Sequence, residues 1–313
     1  MKRLAFYAVP LLFSATAYAA PSAPPLVNPG WVAAHACKAG VVMLDIRNPI
    51  GGGGDLTAYL KGHVPCAVYS NYAENGVWRV KVDGAPGLVP TVAHLEKLVS
   101  GLGIGNADHV VIYSGGTNST DMGSATRVFW TLKYLGDNNV SIMDGGYKAY
   151  VGNGKTPAHK VQSGFNKPVP AKFVAHVQPQ LLATEQEVQA ALGKKGVTLI
   201  DDRPSAQYLG INRPAVDVRN GTIPGARNLP QEWVTKNGGG TFRSAKALTS
   251  LYKTAKIPTK GEVITFCNTG HWASLGWFTS YELLGNKKAR LYAGSMSQWS
   301  RNTKLPVERK VTD

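Results

Sequence analysis

The chain has 313 residues, 43% hydrophobic and 17% charged, which fits two globular domains and excludes a fibrous or disordered chain. Formal net charge is +15, and loss of Lys2 and Arg3 leaves +13, with the densest basic run being Lys287-Lys288-Ala289-Arg290. No basic stripe interleaves with aromatics, so nucleic acid is not an expected partner; the charge is read as a field that attracts small anions, or as solubility alone.

Lys2 and Arg3 precede an apolar run from Leu4 to Phe13, and Ala17-Tyr18-Ala19 has the small-x-small form of a cleavage site. The run is too short to span a bilayer, and no later segment is long and apolar enough. Residues 1–19 are therefore expected to be a signal peptide, and the remainder to be periplasmic or secreted. Export frames the three cysteines, Cys37, Cys66 and Cys267. An odd number in an oxidising compartment leaves at least one free thiol. Cys37 and Cys66 either form a disulfide or stay as two buried thiols. There is no C-x-x-C and no clustered Cys/His spacing, so neither a dithiol centre nor a metal site is expected.

Val41 to Leu44 reads as a buried strand leading into "LDIR" (Leu44 to Arg47). "GGGG" (Gly51 to Gly54) lacks the Lys-Ser/Thr of a P-loop and is read as a flexible turn. "GHVPCA" (Gly62 to Ala67) follows, with His63 as a turn or packing residue. A second strand, Val110 to Tyr113, reaches Ser114 and the loop "SGGTNSTDMGSA". Val128, Leu132 and Leu135 then share one helical face before Gly136. Val140 to Met143 is the next strand, followed by "DGGYKAY" (Asp144 to Tyr150). Residues 151–180 are rich in Pro, Gly, Lys and Ala and are read as a linker between an N-terminal domain, 20–150, and a C-terminal domain, 181–313.

The second half opens with Thr184 and Glu187 as a capping box. Val197 to Ile200 leads into "IDDR" (Ile200 to Arg203), and "GTIPGA" (Gly221 to Ala226) follows. Val263 to Phe266 runs into Cys267. Trp277, Tyr281 and Leu284 share a helical face before Gly285, then come a strand, Arg290 to Tyr292, and "AGSMSQW" (Ala293 to Trp299). The segments repeat the first half in the same order, which argues for a duplicated unit. Strand and helix alternate, so each unit is expected to be α/β, a mainly parallel sheet with helices on both faces.

The first half serves as a control for the second. Gly136 lies 22 residues beyond Ser114, whereas Gly285 lies 18 beyond Cys267, so the first loop is four residues longer, and it has no thiol. Cys267 ends a strand, and "NTGHWA" crosses into a helix expected to begin near Ala273 or Ser274. In open parallel sheets ligands bind beyond such strand ends. A tight loop here points amides inward as an anion nest, Gly270 permits the positive φ, and the helix N-terminus adds partial positive charge. The expected result is a Cys267 thiolate at neutral pH, hence a nucleophile. An isolated cysteine is more often a small buried hydrophobe; the loop, the export signal and the thiol-free first half argue for chemistry. A phosphatase cradle of the C-x5-R type is excluded, because Ala273 stands where its arginine would be.

The two D-x-R segments, "GHVPCA" and "GTIPGA", the C-x-x-G loop "CNTGHWA" and the "GSMSQW" close together resemble the tandem-domain rhodanese family, sulfurtransferases of the thiosulfate/3-mercaptopyruvate type. The resemblance implies two rhodanese-like domains, the first non-catalytic, with Cys267 as the nucleophile that becomes a persulfide. It implies a small anionic sulfur donor, a cyanide, thiol or protein acceptor, and no cofactor. The amides of Asn268, Thr269, Gly270, His271 and Trp272 would hold the anionic sulfur. The chain departs from the family at Asn268-Thr269, where Arg-Lys or Gly-Ser is usual, and at Gln207 in "AQYLG", where an arginine often binds substrate. Arg203, Arg213 and Arg219 are candidates to compensate, although Arg203 also suits a structural ion pair with Asp201 or Asp202. His271 is read as an anion ligand when protonated or a solvent-facing loop residue, and Trp272 as a pocket wall or a core residue. The competing reading is a carrier that binds a sulfur, selenium or metal species and delivers it to a protein partner without turnover.

Overall fold

Short β-branched and aromatic runs alternate with helical patterns along the whole chain, and the computed structural model, which describes residues 23–312, folds them into two similar α/β units. The segment read as a signal peptide lies outside the described residues. The first half runs β1 (Leu26–Val27), α1 (Pro29–His35), β2 (Val41–Asp45), α2 (Leu56–Lys61), β3 (Val68–Tyr69), β4 (Val80–Val82), β5 (Ala85–Leu88), α3 (Val92–Gly101), β6 (His109–Tyr113), α4 (Ser119–Tyr134), β7 (Val140–Met143) and α5 (Gly146–Val151). The second runs α6 (Glu185–Ala191), β8 (Val197–Asp201), α7 (Ser205–Leu209), β9 (Arg227–Asn228), α8 (Ala245–Thr254), β10 (Glu262–Phe266), α9 (His271–Phe278), β11 (Ala289–Leu291) and α10 (Ser295–Trp299).

The sheets have matching strand orders, β1-β7-β6-β2-β3 and β11-β10-β8-β9, all pairs parallel. A single parallel bridge from Leu182 to Leu291 stands where β1 pairs with β7 in the first half. Alternate strand residues face opposite layers. Val110 and Ile112 enter the core under α3 and α4, whereas Val111 and Tyr113 pack under α1 and α5. Helices therefore cover both faces, as the alternation implies.

The repeated motifs are explained by one bonding pattern. In the first half the Arg47 guanidinium donates to Asp45 at 2.7 Å and to the Gly62 carbonyl at 2.7 Å. In the second, Arg203 donates to Asp201 at 2.6 Å and to the Gly221 carbonyl at 2.8 Å. Each D-x-R thus ties the end of an inner strand, β2 or β8, to the start of its G-x-x-P turn.

Residues 152–178 contain no helix or strand. They are stitched to the first half, with backbone bonds between Gln162 and His63 and from Ala171 to Ser100. The halves share a core through α4 and α9, where Phe129 meets Phe278 edge-to-face at 4.9 Å and the Thr126 and Ser274 hydroxyls lie 2.6 Å apart. This places the start of α9, and the Cys267 loop before it, against the first half.

Candidate active site

Cys267 follows β10 directly, and α9 begins at His271, two residues earlier than the sequence pattern implied. Between them the loop curls tightly, with Gly270 at φ 70°. A side chain is barred there for a second reason: a Cβ on Gly270 would lie 2.4 Å from Arg127 Nη1 and 2.7 Å from the Ala293 carbonyl oxygen. The curl brings the amides of Ala273, Thr269 and Trp272 close enough to the Cys267 sulfur to act against the rise of its pKa. Gly270 does not join them. Its amide and that of Cys267 both donate to Ser295 Oγ, at 3.1 and 3.0 Å, which pins the loop to the start of α10.

The sulfur is fully buried. Burial pushes the Cys267 thiol above its ordinary range, the three amides pull it back, and Asp202 pushes it up again. The expectation of a thiolate open to small anions is thus corrected in one respect: the amides converge as expected, but the sulfur is enclosed and its thiol form is favoured by desolvation. Asp202 is itself buried with neither carboxyl oxygen bonded, so burial, with Asp201 beside it, holds it well above the ordinary carboxylate range.

The equivalent loop of the first half already contains a carboxyl group, Asp121, whose pKa burial raises against the pull of its hydrogen bonds. Ser114, at the Cys267 position, donates its hydroxyl to Asp121 at 3.0 Å, and the amides of Gly115, Gly116 and Thr117 donate to the same carboxylate at 3.2, 2.5 and 3.2 Å. Asp121 stands in the first turn of α4 and fills the nest; the loop expected to be four residues longer is not, because residues 114–118 precede α4 where residues 267–270 precede α9, and most of the extra length lies in the helix. The glycine run, read as a flexible turn, closes over it: a Cβ on Gly53 would overlap Asp121 Oδ1, and one on Gly51 would lie 2.5 Å from its amide. One nest is occupied by its own chain, and the other is turned toward a sulfur.

The Cys267 loop packs against the first half. The β4–β5 hairpin presses Gly87 onto the Thr269 carbonyl, where a Cβ would approach to 2.3 Å, and Ser297 Oγ donates to the Pro86 carbonyl at 2.9 Å. His271 is 6% exposed and faces the first half, which corrects both earlier readings of it. Its Nε2 lies 2.7 Å from the Thr120 carbonyl, which can only accept, so Nε2 carries the proton and Nδ1 accepts from the Tyr72 hydroxyl at 2.9 Å. Burial, with Arg79 and Arg127 nearby, lowers its pKa to about 3. It is a neutral staple between the halves and not an anion ligand. Trp272 likewise donates its indole N–H to Thr120 Oγ1 at 3.1 Å and packs at this interface.

Arg203 is held by Asp201 and by Asp217 at 3.4 Å, so it is no free anion ligand. Arg213 donates to the Asp217 carbonyl, and Arg219 to the carbonyls of Trp299, Ser300, Asn302 and Leu305, so neither compensates for the missing arginine. Gln207, on α7, accepts from the Asn268 side chain at 3.0 Å and so does border the loop. Sequence reasoning missed Tyr72 and Arg127, which reach the loop and the start of α9 from the first half, and Arg79, which lies over the Tyr72 ring. The trace they left is slight: Arg127 is a charged residue inside a helix whose neighbours are apolar or small.

Comparison with known proteins accords with this geometry. The family profile described as "Rhodanese-like domain" matches residues 28–153 and again 184–302. Thiosulfate sulfurtransferase of Mus musculus is 32% identical over 81% of this chain and 82% of its own length. A putative thiosulfate sulfurtransferase of Synechococcus elongatus is 33% identical over 90% of this chain and 84% of its own. Among solved structures, a 3-mercaptopyruvate sulfotransferase from Escherichia coli superposes with a TM-score of 0.74 at 22% identity, covering 87% of this chain and 99% of that one, a likeness of fold. Two matched domains, a duplicated topology and full-length relatives lead to one conclusion: the chain belongs to the rhodanese family, as a tandem-domain sulfurtransferase.

Proposed function

We propose that this enzyme carries sulfane sulfur on Cys267, taking it from thiosulfate or a related small anionic donor and giving it to cyanide or a thiol. The observation that carries the reading is Cys267 at the end of β10, before the Gly270 curl and the start of α9, where the Ala273, Thr269 and Trp272 amides act to favour a negative sulfur, against a first-half nest filled by Asp121. The names of the curated relatives support the donor and weigh against the carrier without turnover. The Cys267 thiolate attacks the outer sulfur of thiosulfate, the sulfur–sulfur bond of the donor breaks, and sulfite leaves with the bonding pair. Cys267 then holds a persulfide anion, whose terminal sulfur cyanide attacks; thiocyanate departs and the thiolate returns. The amides face a negative sulfur in both half-reactions, where preorganised donors matter most. Because the sulfur is enclosed, donor entry requires a local opening around Cys267.

Residues 1–19 are read as an export signal, and the Cys37–Cys66 disulfide, with Cα atoms 5.3 Å apart, supports an oxidising compartment. The function is tested by steady-state thiocyanate formation with thiosulfate and cyanide varied together. Parallel double-reciprocal lines, lost in Cys267→Ala, are expected; turnover that survives the substitution removes Cys267 from the mechanism.

A further inference from the structure

The Cys267 loop brings no cation of its own to the buried sulfur. Asn268, Thr269 and Gln207 are uncharged, and the Arg203 charge is answered by Asp201 and Asp217. Across the interface the reverse holds. Arg127, in the middle of α4, is fully buried, and no carboxylate among the described residues lies within ion-pair distance of it. Its Nη2 donates to the Gly87 carbonyl at 2.9 Å and its Nη1 to the Thr269 carbonyl at 3.4 Å, while Nε has no partner. Arg79 lies over the Tyr72 ring at 4.3 Å, its Nε also buried and unbonded. Arg127 also lies over the Trp130 ring at 5.3 Å, but a buried guanidinium with carbonyls and a ring for partners is costly unless an anion lies near it.

We propose that Arg127, contributed by the half without the thiol, is the counter-cation of the Cys267 thiolate and persulfide. It is a positioning residue: it touches the loop carbonyl, fixes the curl that aims the amides, and compensates the sulfur's charge across the interface. The proposal rests on Cys267 being the sulfur carrier. Electrostatics agree, since burial and, less strongly, Arg79 lower Arg127 to about 10 while Tyr72 and Cys267 act to raise it. The other groups facing the sulfur do not substitute. Asp202 is neutral or repulsive, Tyr72 and His271 are uncharged, Arg203 is already paired, and Arg79 stands behind the Tyr72 ring. The non-catalytic half would thus supply the charge that Asn268-Thr269 and Gln207 lack.

The test is the pH profile of Cys267 alkylation by iodoacetamide in the full, disulfide-intact chain, where Cys267 is the one free thiol. Arg127→Gln is expected to move the inflection upward by about one unit, slowing alkylation near neutrality about tenfold, and Arg127→Lys to stay near wild type. An unchanged inflection in folded Arg127→Gln overturns the proposal, even if the absolute rate falls, because that is the signature of a purely structural role. A second measurement needs no variant: converting wild-type Cys267 to the persulfide anion beside an unpaired cation should raise Tm, and an unchanged or lowered Tm contradicts the proposal. Absence of any sulfur gain would instead overturn the carrier reading, and the alkylation profile would still report on Arg127.

Discussion

His271 gives the interface a pH dependence with a calculable sign. Its ring is bonded on one side to Tyr72 and on the other to Thr120, with Arg79 and Arg127 facing it. Burial and these cations lower its pKa from the ordinary 6.5 to about 3. On acidification the unfolded chain therefore takes up a proton that the folded chain refuses, so stability is lost as pH falls below 6.5 toward 3. Between pH 7 and pH 5 the loss from this one group is about 2 kcal/mol. Asp137 and Asp217, raised by burial to about 6 and about 7, act in the opposite sense and mask the effect in the wild type. His271→Gln keeps an acceptor and a donor at the site but does not titrate. Urea unfolding of both proteins at the two pH values isolates the term. The variant is expected to improve relative to wild type by about 2 kcal/mol on going to pH 5. A stability difference that does not change with pH would refute an enclosed neutral ring.

Three further outcomes follow from the packing. In a Cys267→Ala background, Ser114→Cys should gain no sulfur from thiosulfate, because the Asp121 carboxylate occupies the amides that a persulfide would need; a mass gain on the new thiol would show the nest to be free. Gly276→Ala places a Cβ 2.4 Å from the buried Asp202 carboxyl and should cost about 1–3 kcal/mol in urea unfolding, partly recovered by adding Asp202→Ala; equal stability would mean the carboxyl can yield. Cys66→Ser opens the cross-link to Cys37, 29 residues away, and should cost about 3–4 kcal/mol by chain entropy, read as a lower Cm; an unshifted Cm would mean that the bond does not form.

Much of this molecule is legible from local pattern, because strands, helices and turns are specified within short windows. "LDIR" with "GHVPCA", and "IDDR" with "GTIPGA", mark two copies of one strand-to-turn tie, and the structure supplies the Arg47–Gly62 and Arg203–Gly221 bonds behind them. The lone thiol after β10 was equally visible. What escaped is what depends on contacts between distant segments. His271 and Trp272 look like loop residues until α4 is laid against α9, and only then does Thr120 become their partner. Arg127 and Thr269 are likewise far apart in sequence and meet only after both halves dock. The closed state of the first nest was hidden because Asp121 reads as an ordinary residue near a helix start, with no sign that its carboxylate turns back onto three amides.

Intact mass of the full chain after incubation with thiosulfate, and again after cyanide, tests the central claim most directly. The wild type should become one sulfur atom heavier, return to its starting mass with release of thiocyanate, and show neither change once Cys267 is alanine. A wild-type chain that stays at its starting mass, or sulfur retained by the alanine variant, would contradict a persulfide held on Cys267 by the Ala273, Thr269 and Trp272 amides.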